Sequence, residues 1–326
     1  MKKAVYILLP LLMAVFAAGC RPGRSREQGA QSGRLAPLED SLNKYIEGKD
    51  ARIGIAVILD GKDTVAVNGG RDFPMLSVYK FPQAIAVADF CRKNGMTADS
   101  GIDISAAEIL PDTWSPMREK YGVRDLRLPL SELLAFSLQQ SDNNACDILF
   151  RLIGGPAVAD SVMKAEGFPE IVVGSTEKEM HDDIYLSYQN RSTPVGMARL
   201  FDAFFRGNKI WGGPASKTEN ECWRSVIRTI SQLSFDCETG INRLPAPLVQ
   251  TEARIAHKTG TGDRNSQGRI IGVNDAGYIS LPDGRGYAIA VFIADSAYSQ
   301  EVTEQIIGDI SSIVYNWIAG ETPEAL

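Results

Sequence analysis

The sequence contains few of the residues that usually bind metals. Only two of its 326 residues are histidine, His181 and His257, and none of its five cysteines forms a C-x-x-C pair. Zinc sites in proteins draw mainly on closely spaced cysteine and histidine ligands. We therefore predict that the protein uses neither a metal ion nor another cofactor.

The chain also lacks an excess of positive charge. It has 34 Lys and Arg against 40 Asp and Glu, which gives a net charge of −6. Proteins that bind nucleic acids present clustered positive charge to the phosphate backbone. The composition thus gives no support for a nucleic-acid partner. Its 44% apolar and 23% charged residues are typical of a globular protein.

No apolar run is long enough to span a membrane. The longest, residues 4–18, is shorter than the roughly 20 residues that a transmembrane helix needs. Two lysines precede this run and Cys20 follows it closely, which is the arrangement of a secretory signal peptide. We predict a signal peptide over residues 1–20.

The remaining cysteines leave two alternatives open. An exported protein can pair cysteines, and four of them allow three connectivities. They can equally remain free thiols packed in the apolar interior. The residues concerned are Cys91, Cys146, Cys222 and Cys237.

The segments at the two ends of the chain have distinct patterns. Residues 21–35 are rich in Arg, Gly, Ser and Gln, and we predict a flexible tether there. A first helix is predicted from about Leu38, and a last helix ends near Gly320.

Predicted strands lie toward both ends, and a mostly helical stretch separates them. The predicted strands are Ile53–Leu59, Thr64–Val67, Arg254–Thr259, Ile270–Leu281 and Tyr287–Ala294. We therefore predict an α/β protein. Its sheet lobe, about residues 36–73 and 229–326, carries an inserted helical lobe of about residues 74–228. A cleft between the lobes is the expected place for a functional site.

The first motif with chemical potential is S-x-x-K at residues 77–80. Residues three apart at the start of a helix share a face, so Lys80 can reach the Ser77 hydroxyl. A serine becomes a nucleophile when a nearby base takes its proton, and a helix N-terminus favours the developing negative charge. Taken alone, the motif also fits a serine cap followed by a surface lysine.

A second motif, S-D-N, occupies residues 141–143. The Ser141 hydroxyl can pass a proton to a leaving nitrogen, and the Asn143 amide can hold a substrate amide oxygen. These residue types are also common helix caps, so the motif is uninformative by itself.

The third motif is K-T-G-T at residues 258–261, on a predicted strand. Lys258 and Thr259 can donate to a carboxylate, and Gly260 lets a ligand approach the backbone closely. The alternative is a lysine on an edge strand that leads into a loop.

In this order and spacing, the three motifs resemble those of class A serine β-lactamases and penicillin-binding proteins. The resemblance extends over residues 38–319. It implies a five-stranded antiparallel sheet flanked by helices, with an inserted all-helical lobe. It also implies that β-lactams are the small-molecule substrates and that the serine is acylated by them. We expect a monomer.

The resemblance implies a role for each motif residue. Ser77 would be acylated, Lys80 would assist its deprotonation, and Ser141 would shuttle a proton. The backbone N–H groups of Ser77 and Thr261 would form the oxyanion hole. The residues implied in substrate binding are Asn143, Lys258, Thr259 and Gly260.

Two more substrate contacts are implied outside the motifs. Trp114 matches the aromatic residue that walls the entrance of the family's site, with a core tryptophan as the alternative. Arg243 matches an arginine that reaches the substrate carboxylate from an adjacent helix. Arg269, just beyond the motif strand, is the competing candidate.

A hydrolase must also hydrolyse its acyl-enzyme, and this step requires a general base. The family supplies a glutamate from a loop between the second and third motifs. Glu177 matches the family's spacing, and Glu179 is the alternative. His181 would help Glu177 to hold the water molecule that attacks the acyl-enzyme. The alternative is a histidine on a surface loop. Asn190 stands where the family usually has an aspartate that pins the loop through an arginine.

The unusual loop resembles a cephalosporinase-like branch of the family, which implies a preference for cephalosporins. Two other functions remain open, a DD-peptidase and a β-lactam sensor, because both acylate without rapid turnover. Glu177 favours the hydrolase. Residues 17–20 resemble a bacterial lipobox, which implies a lipid on Cys20 and a membrane-tethered periplasmic lipoprotein.

Overall fold

The computed structural model describes residues 26–206 and 217–320. The chain falls into two units, residues 1–34 and 35–326. In the first unit the described residues are helical. The predicted signal peptide lies outside the described residues.

The longer strands lie toward the two ends of the described chain, and most of the helices lie between them. The helices are α1 Arg26–Ile46, α2 Lys80–Asn94, α3 Pro116–Tyr121, α4 Leu130–Gln139, α5 Asn143–Ile153, α6 Pro156–Ala165, α7 Glu177–Asp182, α8 Pro194–Phe205, α9 Lys217–Phe235 and α10 Gln300–Gly320. The strands are β1 Arg52–Leu59, β2 Asp63–Val67, β3 Phe73–Pro74, β4 Gly101–Ile104, β5 Leu126–Pro129, β6 Arg191–Ser192, β7 Arg254–Thr261, β8 Ile270–Ser280 and β9 Gly286–Ser296.

Helix α1 begins earlier than the sequence analysis predicts. It starts at Arg26, so the prediction of a flexible tether is wrong over residues 26–34. That prediction gave weight to the glycines and the serine of this segment. Most of its residues are Arg, Glu, Gln and Ala, which have high helix propensity.

The main sheet has five strands in the order β2-β1-β9-β8-β7, and every neighbouring pair is antiparallel. This confirms the predicted fold class. Successive residues of β9 point to opposite faces of the sheet. Tyr287, Ile289, Val291 and Ile293 pack into one apolar cluster, and Ala288, Ala290, Phe292 and Ala294 pack into the other.

Helices cover both faces of this sheet, which explains why β8 and β9 are buried almost throughout. One cluster includes apolar residues of α10 and of α1 from Leu35 onward. The opposite cluster includes α2, α4, α5, α8 and α9. Alanine side chains of β9 on that second face leave room for α8, which packs across β9 and β1. The sheet therefore forms a rigid wall with an apolar core on each side.

The predicted lobe boundary at residue 229 falls inside α9, so it is wrong in detail. Helix α9 packs against α2 and α4 as well as β7. Its apolar residues Val226 and Ile230 are buried in the same cluster as α2. The helix therefore belongs to the helical lobe along its whole described length.

The described cysteines form no disulfide. Cys91, Cys146 and Cys222 are buried as free thiols, and Cys237 is partly exposed. Of the two alternatives left open by the sequence, the structure has the free thiols. No described helix is both long enough and apolar enough to cross a membrane.

Replacing Ile310 by alanine tests the α10 side of the core. Ile310 is 0% exposed in the apolar cluster between α10 and the sheet. We expect Ile310→Ala to lower the free energy of unfolding by about 2–5 kcal/mol, measured by urea denaturation. Val302→Ala, on the same helix but 47% exposed, is the matched control and should change it by less than about 0.5 kcal/mol. Equal effects of the two substitutions would contradict this packing.

Candidate active site

Ser77 lies in a short 3-10 turn, Leu76–Tyr79, that leads directly into α2. The residue before it, Leu76, has φ +48°. A non-glycine residue in this region costs about 1–3 kcal/mol and persists only where surrounding contacts impose it. The buried amide of Asn274 on β8 supplies such contacts, because its Nδ2 donates to the carbonyls of Pro74 at 2.8 Å and Met75 at 3.1 Å.

Strand β7 passes against this turn at Gly260. A Cβ atom on Gly260 would lie 2.5 Å from the carbonyl oxygen of Met75 and 3.1 Å from the Ser77 nitrogen. Both are backbone atoms, so no side chain can be accommodated there. Gly260 thus lies against the backbone of the turn that carries Ser77, and its close approach to a ligand stays a prediction.

Lys80 joins the first and second motifs. Its Nζ lies 3.0 Å from Ser77 Oγ, 2.9 Å from the Ser141 carbonyl oxygen and 2.8 Å from Asn143 Oδ1. A fourth oxygen, Glu177 Oε1, lies 2.9 Å away. The Lys80 side chain is 0% exposed. An ammonium has three protons, so these four oxygens share its donors.

Glu177 and Glu179 have different environments. Glu177 Oε1 lies 3.5 Å from Ser77 Oγ and contacts the Lys80 ammonium. Glu179 instead accepts hydrogen bonds from the Thr176 backbone N–H at 2.8 Å and from its hydroxyl at 3.0 Å. This is a capping box at the start of α7. The geometry therefore favours Glu177 as the carboxylate that faces the nucleophile.

Asp147 on α5 holds the start of α7 and was missed by the sequence analysis. Its carboxylate accepts from the backbone N–H groups of Glu177 and Lys178, each at 2.8 Å. Burial raises the pKa of Asp147 to about 6, and the Glu177 charge adds to this, although the two backbone hydrogen bonds oppose it. Its place four residues after Asn143, on the same face of α5, is the signal that could have found it.

The loop that carries Glu177 is pinned by an uncharged amide. Asn190 Oδ1 accepts from the backbone N–H groups of Gly174 at 2.8 Å and Ser175 at 3.0 Å, and its Nδ2 donates to the Ser175 carbonyl at 2.9 Å. These bonds occupy the place of the usual arginine–aspartate pair. His181 lies one turn after Glu177, is exposed, and lines the cleft.

The second motif is fixed by its central residue. Asp142 caps α5 through the Ala145 N–H at 2.8 Å, and it also accepts from the Ser115 hydroxyl at 2.9 Å. Ser141, just before it, has φ +60°, a conformation that these contacts must maintain. Asn143 Nδ2 donates to the Thr113 hydroxyl at 2.8 Å, which orients its oxygen toward Lys80.

The third motif reaches the second through Lys258. Its Nζ donates to Ser141 Oγ at 3.0 Å and to the Thr259 carbonyl at 2.9 Å. Burial lowers the pKa of Lys258 to about 8, even though the nearby Cys237 side chain favours the charged form. This lysine is therefore cationic at neutral pH but can lose its proton in mild alkali.

The two candidate arginines, Arg243 and Arg269, differ in whether they line the cleft. Arg243 lines the cleft, with Nη2 2.6 Å from Thr261 Oγ1 and 2.9 Å from Glu304 Oε1. Arg269 does not line the cleft, since it pairs with Asp50 and its Nε donates to a backbone carbonyl. The geometry thus favours Arg243 and argues against Arg269 as the group that meets a substrate carboxylate.

These residues surround a cleft with a volume of about 740 Å³, within the usual range for a ligand pocket. Trp114 is 58% exposed at its edge, so it is not a core tryptophan. The predicted residues that line the cleft are Ser77, Trp114, Ser141, Asn143, Glu177, His181, Arg243, Thr259 and Thr261. Lys80, Lys258 and Gly260 lie just behind this lining. No group of described residues has the ligands for a metal ion.

Residues 37–318 match the model of the beta-lactamase enzyme family. The chain belongs to the class A β-lactamases. The β-lactamase of Bacteroides uniformis is 36% identical to it over 283 residues, which cover 87% of this chain and 92% of that one. The extended-spectrum β-lactamase PER-1 of Pseudomonas aeruginosa is 31% identical over 97% of this chain and 95% of its own length.

Solved structures give the same result. The crystal structure of the TLA-1 extended-spectrum β-lactamase has a TM-score of 0.80 at 34% identity, covering 87% of this chain and 99% of that one. A class A β-lactamase from Bacteroides cellulosilyticus has a TM-score of 0.80 at 30% identity, covering 88% and 99%. The β-lactamase described here is therefore a hydrolase that opens the β-lactam ring of antibiotics through a serine. This activity confers resistance.

The lowered pKa of Lys258 predicts an alkaline limit to activity. Below about pH 8 the ammonium is charged and can attract a substrate carboxylate, and above it this attraction is lost. We expect kcat/KM to fall as the pH rises through about 8, since kcat/KM reports ionisations of the free enzyme. Lys258→Arg should move this fall to higher pH because arginine remains charged. Lys62→Arg, on the exposed surface, should leave it in place; a shared profile for all three proteins would contradict this assignment.

The contact between Asp147 and α7 predicts slower deacylation when it is broken. In Asp147→Asn, an amide NH₂ replaces one of the two oxygens that accept from Glu177 and Lys178. Losing such a charged acceptor costs about 1.5–3 kcal/mol, so we expect steady-state turnover to fall about tenfold or more. The acylation burst should remain, measured by stopped-flow absorbance.

The matched control for this variant is Asp182→Asn, which removes an exposed carboxylate from the other end of α7. Its turnover should stay within about twofold, because surface ion pairs contribute little. Loss of the burst in Asp147→Asn would contradict a role confined to deacylation.

Proposed function

We propose that this enzyme hydrolyses cephalosporins and penicillins through an ester on Ser77. We also propose that Glu177 is the general base that activates water to hydrolyse this ester. One observation supports this most directly. The Lys80 Nζ lies 3.0 Å from the Ser77 hydroxyl and 2.9 Å from the Glu177 carboxylate, within a cleft that accommodates a drug-sized ligand.

In acylation, Ser77 Oγ attacks the carbonyl carbon of the β-lactam. Its proton passes to the pair formed by Lys80 and Glu177, which contacts the hydroxyl on one side. The ring C–N bond breaks, and the nitrogen takes a proton from the Ser141 hydroxyl, which Lys258 contacts from behind. The proton held by the Lys80–Glu177 pair then passes to Ser141, so Ser141 is again a hydroxyl and Glu177 is again a carboxylate. The backbone N–H groups of Ser77 and Thr261 hold the oxyanion.

In deacylation, Glu177 takes a proton from a water molecule that attacks the ester carbon. The ester C–O bond breaks, and the proton returns to Ser77 Oγ, which regenerates the enzyme. The carboxylate lies 3.5 Å from Ser77 Oγ, so a water molecule that contacts both oxygens from the cleft would be within reach of the ester carbon. A DD-peptidase or a sensor would lack this step, and the relatives named as β-lactamases support the hydrolase.

Substrate recognition divides between two sides of the cleft. Arg243, Thr259 and Thr261 offer hydrogen-bond donors to the substrate carboxylate, with the Lys258 cation just behind them. Asn143 lies on the opposite side, where it can meet the substrate's amide. A preference for cephalosporins is supported by the unusual loop around Glu177, which Asn190 pins. Two relatives are named extended-spectrum β-lactamases.

We further propose that the enzyme acts as a monomer at the cell envelope. The cleft is lined on all its sides by this chain, so the proposed reaction needs no second copy. Enzymes of this class are typically exported, and the first twenty residues, ending at Cys20, have the pattern of a lipoprotein signal. A periplasmic protein held to a membrane by a lipid on Cys20 follows from this pattern.

The test is turnover of a chromogenic cephalosporin by the purified protein and by two glutamate variants. The unchanged enzyme should hydrolyse many molecules per active site. Glu177→Gln should keep the first acylation but lose about 10²–10⁴ in turnover, because a general base has been removed. Mass spectrometry should then find the acyl adduct on Ser77.

Glu179→Gln is the matched control, because its amide oxygen can still accept the hydrogen bonds from Thr176. It should keep turnover within about tenfold of the unchanged enzyme. Stoichiometric acylation without turnover in the unchanged enzyme would overturn the proposed hydrolysis. Trapping by Glu179→Gln instead would move the base to Glu179.

A further inference from the structure

A second cluster of ionisable side chains lies behind the carboxylate-binding side of the cleft. His257 on β7 is 3% exposed, and its Nδ1 lies 2.9 Å and 3.1 Å from the two carboxylate oxygens of Asp275 on β8. On its other side His257 faces Cys237, which follows α9, and the two side chains interact electrostatically. Since Nδ1 contacts Asp275, Nε2 is the nitrogen left for the sulfur. The three side chains thus form a thiol–imidazole–carboxylate series.

This series continues into the cleft through a ladder of paired side chains. Residues 257, 259 and 261 share one face of β7 because side chains alternate along a strand. His257 faces Cys237. Thr259 Oγ1 lies 2.6 Å from Thr239 Oγ1, and Thr261 Oγ1 lies 2.6 Å from Arg243 Nη2. Cys237 Sγ is itself 3.4 Å from Thr239 Oγ1. The sulfur therefore contacts Thr239, which itself lines the cleft.

The charges around Cys237 favour a thiolate. From β7 it faces His257 and Lys258, and Asp275 of β8 lies beyond the imidazole. Lys258 in turn faces the cations Lys80 and Arg243.

Burial opposes ionisation of the thiol, yet His257 and Lys258 lower the pKa of Cys237 to about 6. Burial also disfavours the imidazolium, but Asp275 and Cys237 raise the pKa of His257 to about 10. A thiolate–imidazolium pair is the form expected at neutral pH.

We propose that Cys237 is a reactive thiol that takes soft electrophiles, namely alkylating agents and small disulfides, with His257 and Asp275 as its activating pair. Cys237 is also partly exposed, whereas Cys91, Cys146 and Cys222 are buried. In the reaction with a disulfide, the sulfur of Cys237 attacks one sulfur of the reagent. A new S–S bond forms, the reagent's S–S bond breaks, and the other half leaves as a thiolate or sulfinate. No outside oxidant is required.

An adduct on Cys237 should weaken substrate binding. The added group would push Thr239 away from Thr259, and both threonines line the carboxylate-binding side. This modification site goes beyond the proposed hydrolysis, and it depends on that proposal only where activity is the readout. Adduct mass, by contrast, is measured whether or not the enzyme turns over.

The first arm of the test measures alkylation by iodoacetamide as a function of pH, with peptide mapping by mass spectrometry. We expect Cys237 to be the residue modified in the folded protein. Its rate should change by less than about 1.5-fold between pH 7 and pH 9, because the sulfur is already a thiolate. A thiol with the usual pKa near 8.5 would speed up about 25-fold over this range. No adduct on Cys237, or the steep profile of an ordinary thiol, would overturn the proposal.

The second arm uses methyl methanethiosulfonate, which leaves only a small S–CH₃ group. We expect kcat/KM for a cephalosporin to fall about tenfold or more, and dithiothreitol to restore it as it removes the group. Cys237→Ser should gain no adduct at that position, and its own kcat/KM should not respond to the reagent. Complete modification of Cys237 with unchanged kcat/KM would overturn the link to the cleft.

The role of the imidazole is tested by His257→Asn. We expect its alkylation profile to become that of an ordinary thiol; a profile that stays flat would overturn the role of His257. If this variant does not fold, the profile of the unchanged enzyme still decides whether the thiol is activated. If the unmodified enzyme shows no turnover, the proposed hydrolysis fails while the adduct measurement still stands.

Discussion

The buried ammonium group of Lys80 is the interaction on which the rest of the site depends. Removing a charge from water costs several kcal/mol unless nearby groups compensate it. Here the compensation comes from a carboxylate and three neutral oxygens on three segments that are distant in the chain. Lys80, Asn143 and Glu177 are each the first residue of a helix. The lysine therefore holds three helix starts around the hydroxyl of Ser77, and losing any of its partners would leave a buried charge less well satisfied.

This arrangement requires backbone strain, which the surrounding structure maintains. Leu76 and Ser141 both have positive φ angles, and each comes directly before or within a motif. Asn274 binds the carbonyls that precede Leu76, and Asp142 binds the segment that follows Ser141. Gly260 lets β7 lie against the strained turn without a side chain between them. The sheet and these two polar anchors thus hold Ser77 and Ser141 in place around Lys80.

The side of the cleft formed by β7 has a different character, because ionisable groups crowd together there. Lys258, Arg243 and His257 lie close together, with Glu304, Asp275 and the Cys237 thiolate as their counter-charges. Lys258 and Arg243 are the cations that a substrate carboxylate would approach. This side also has a nucleophilic sulfur behind the threonines that would contact that substrate. The same group of charged side chains therefore influences substrate binding, the alkaline limit of activity and the reactivity of Cys237.

The sequence by itself determined the three motifs, the main strands and the helical insertion, because hydrophobic periods of two and 3.6 residues and the residues within each motif are local properties. The antiparallel order of the sheet was implied only by the resemblance to class A β-lactamases. Tertiary structure decided what depends on contacts between distant segments. Glu177 rather than Glu179 faces the nucleophile because Asp147 and the capping box orient α7. Arg243 rather than Arg269 reaches the cleft because Arg269 is held by Asp50. Asn274 and the Cys237–His257 pair could not be foreseen, since no local pattern records which residues of separate strands and loops meet.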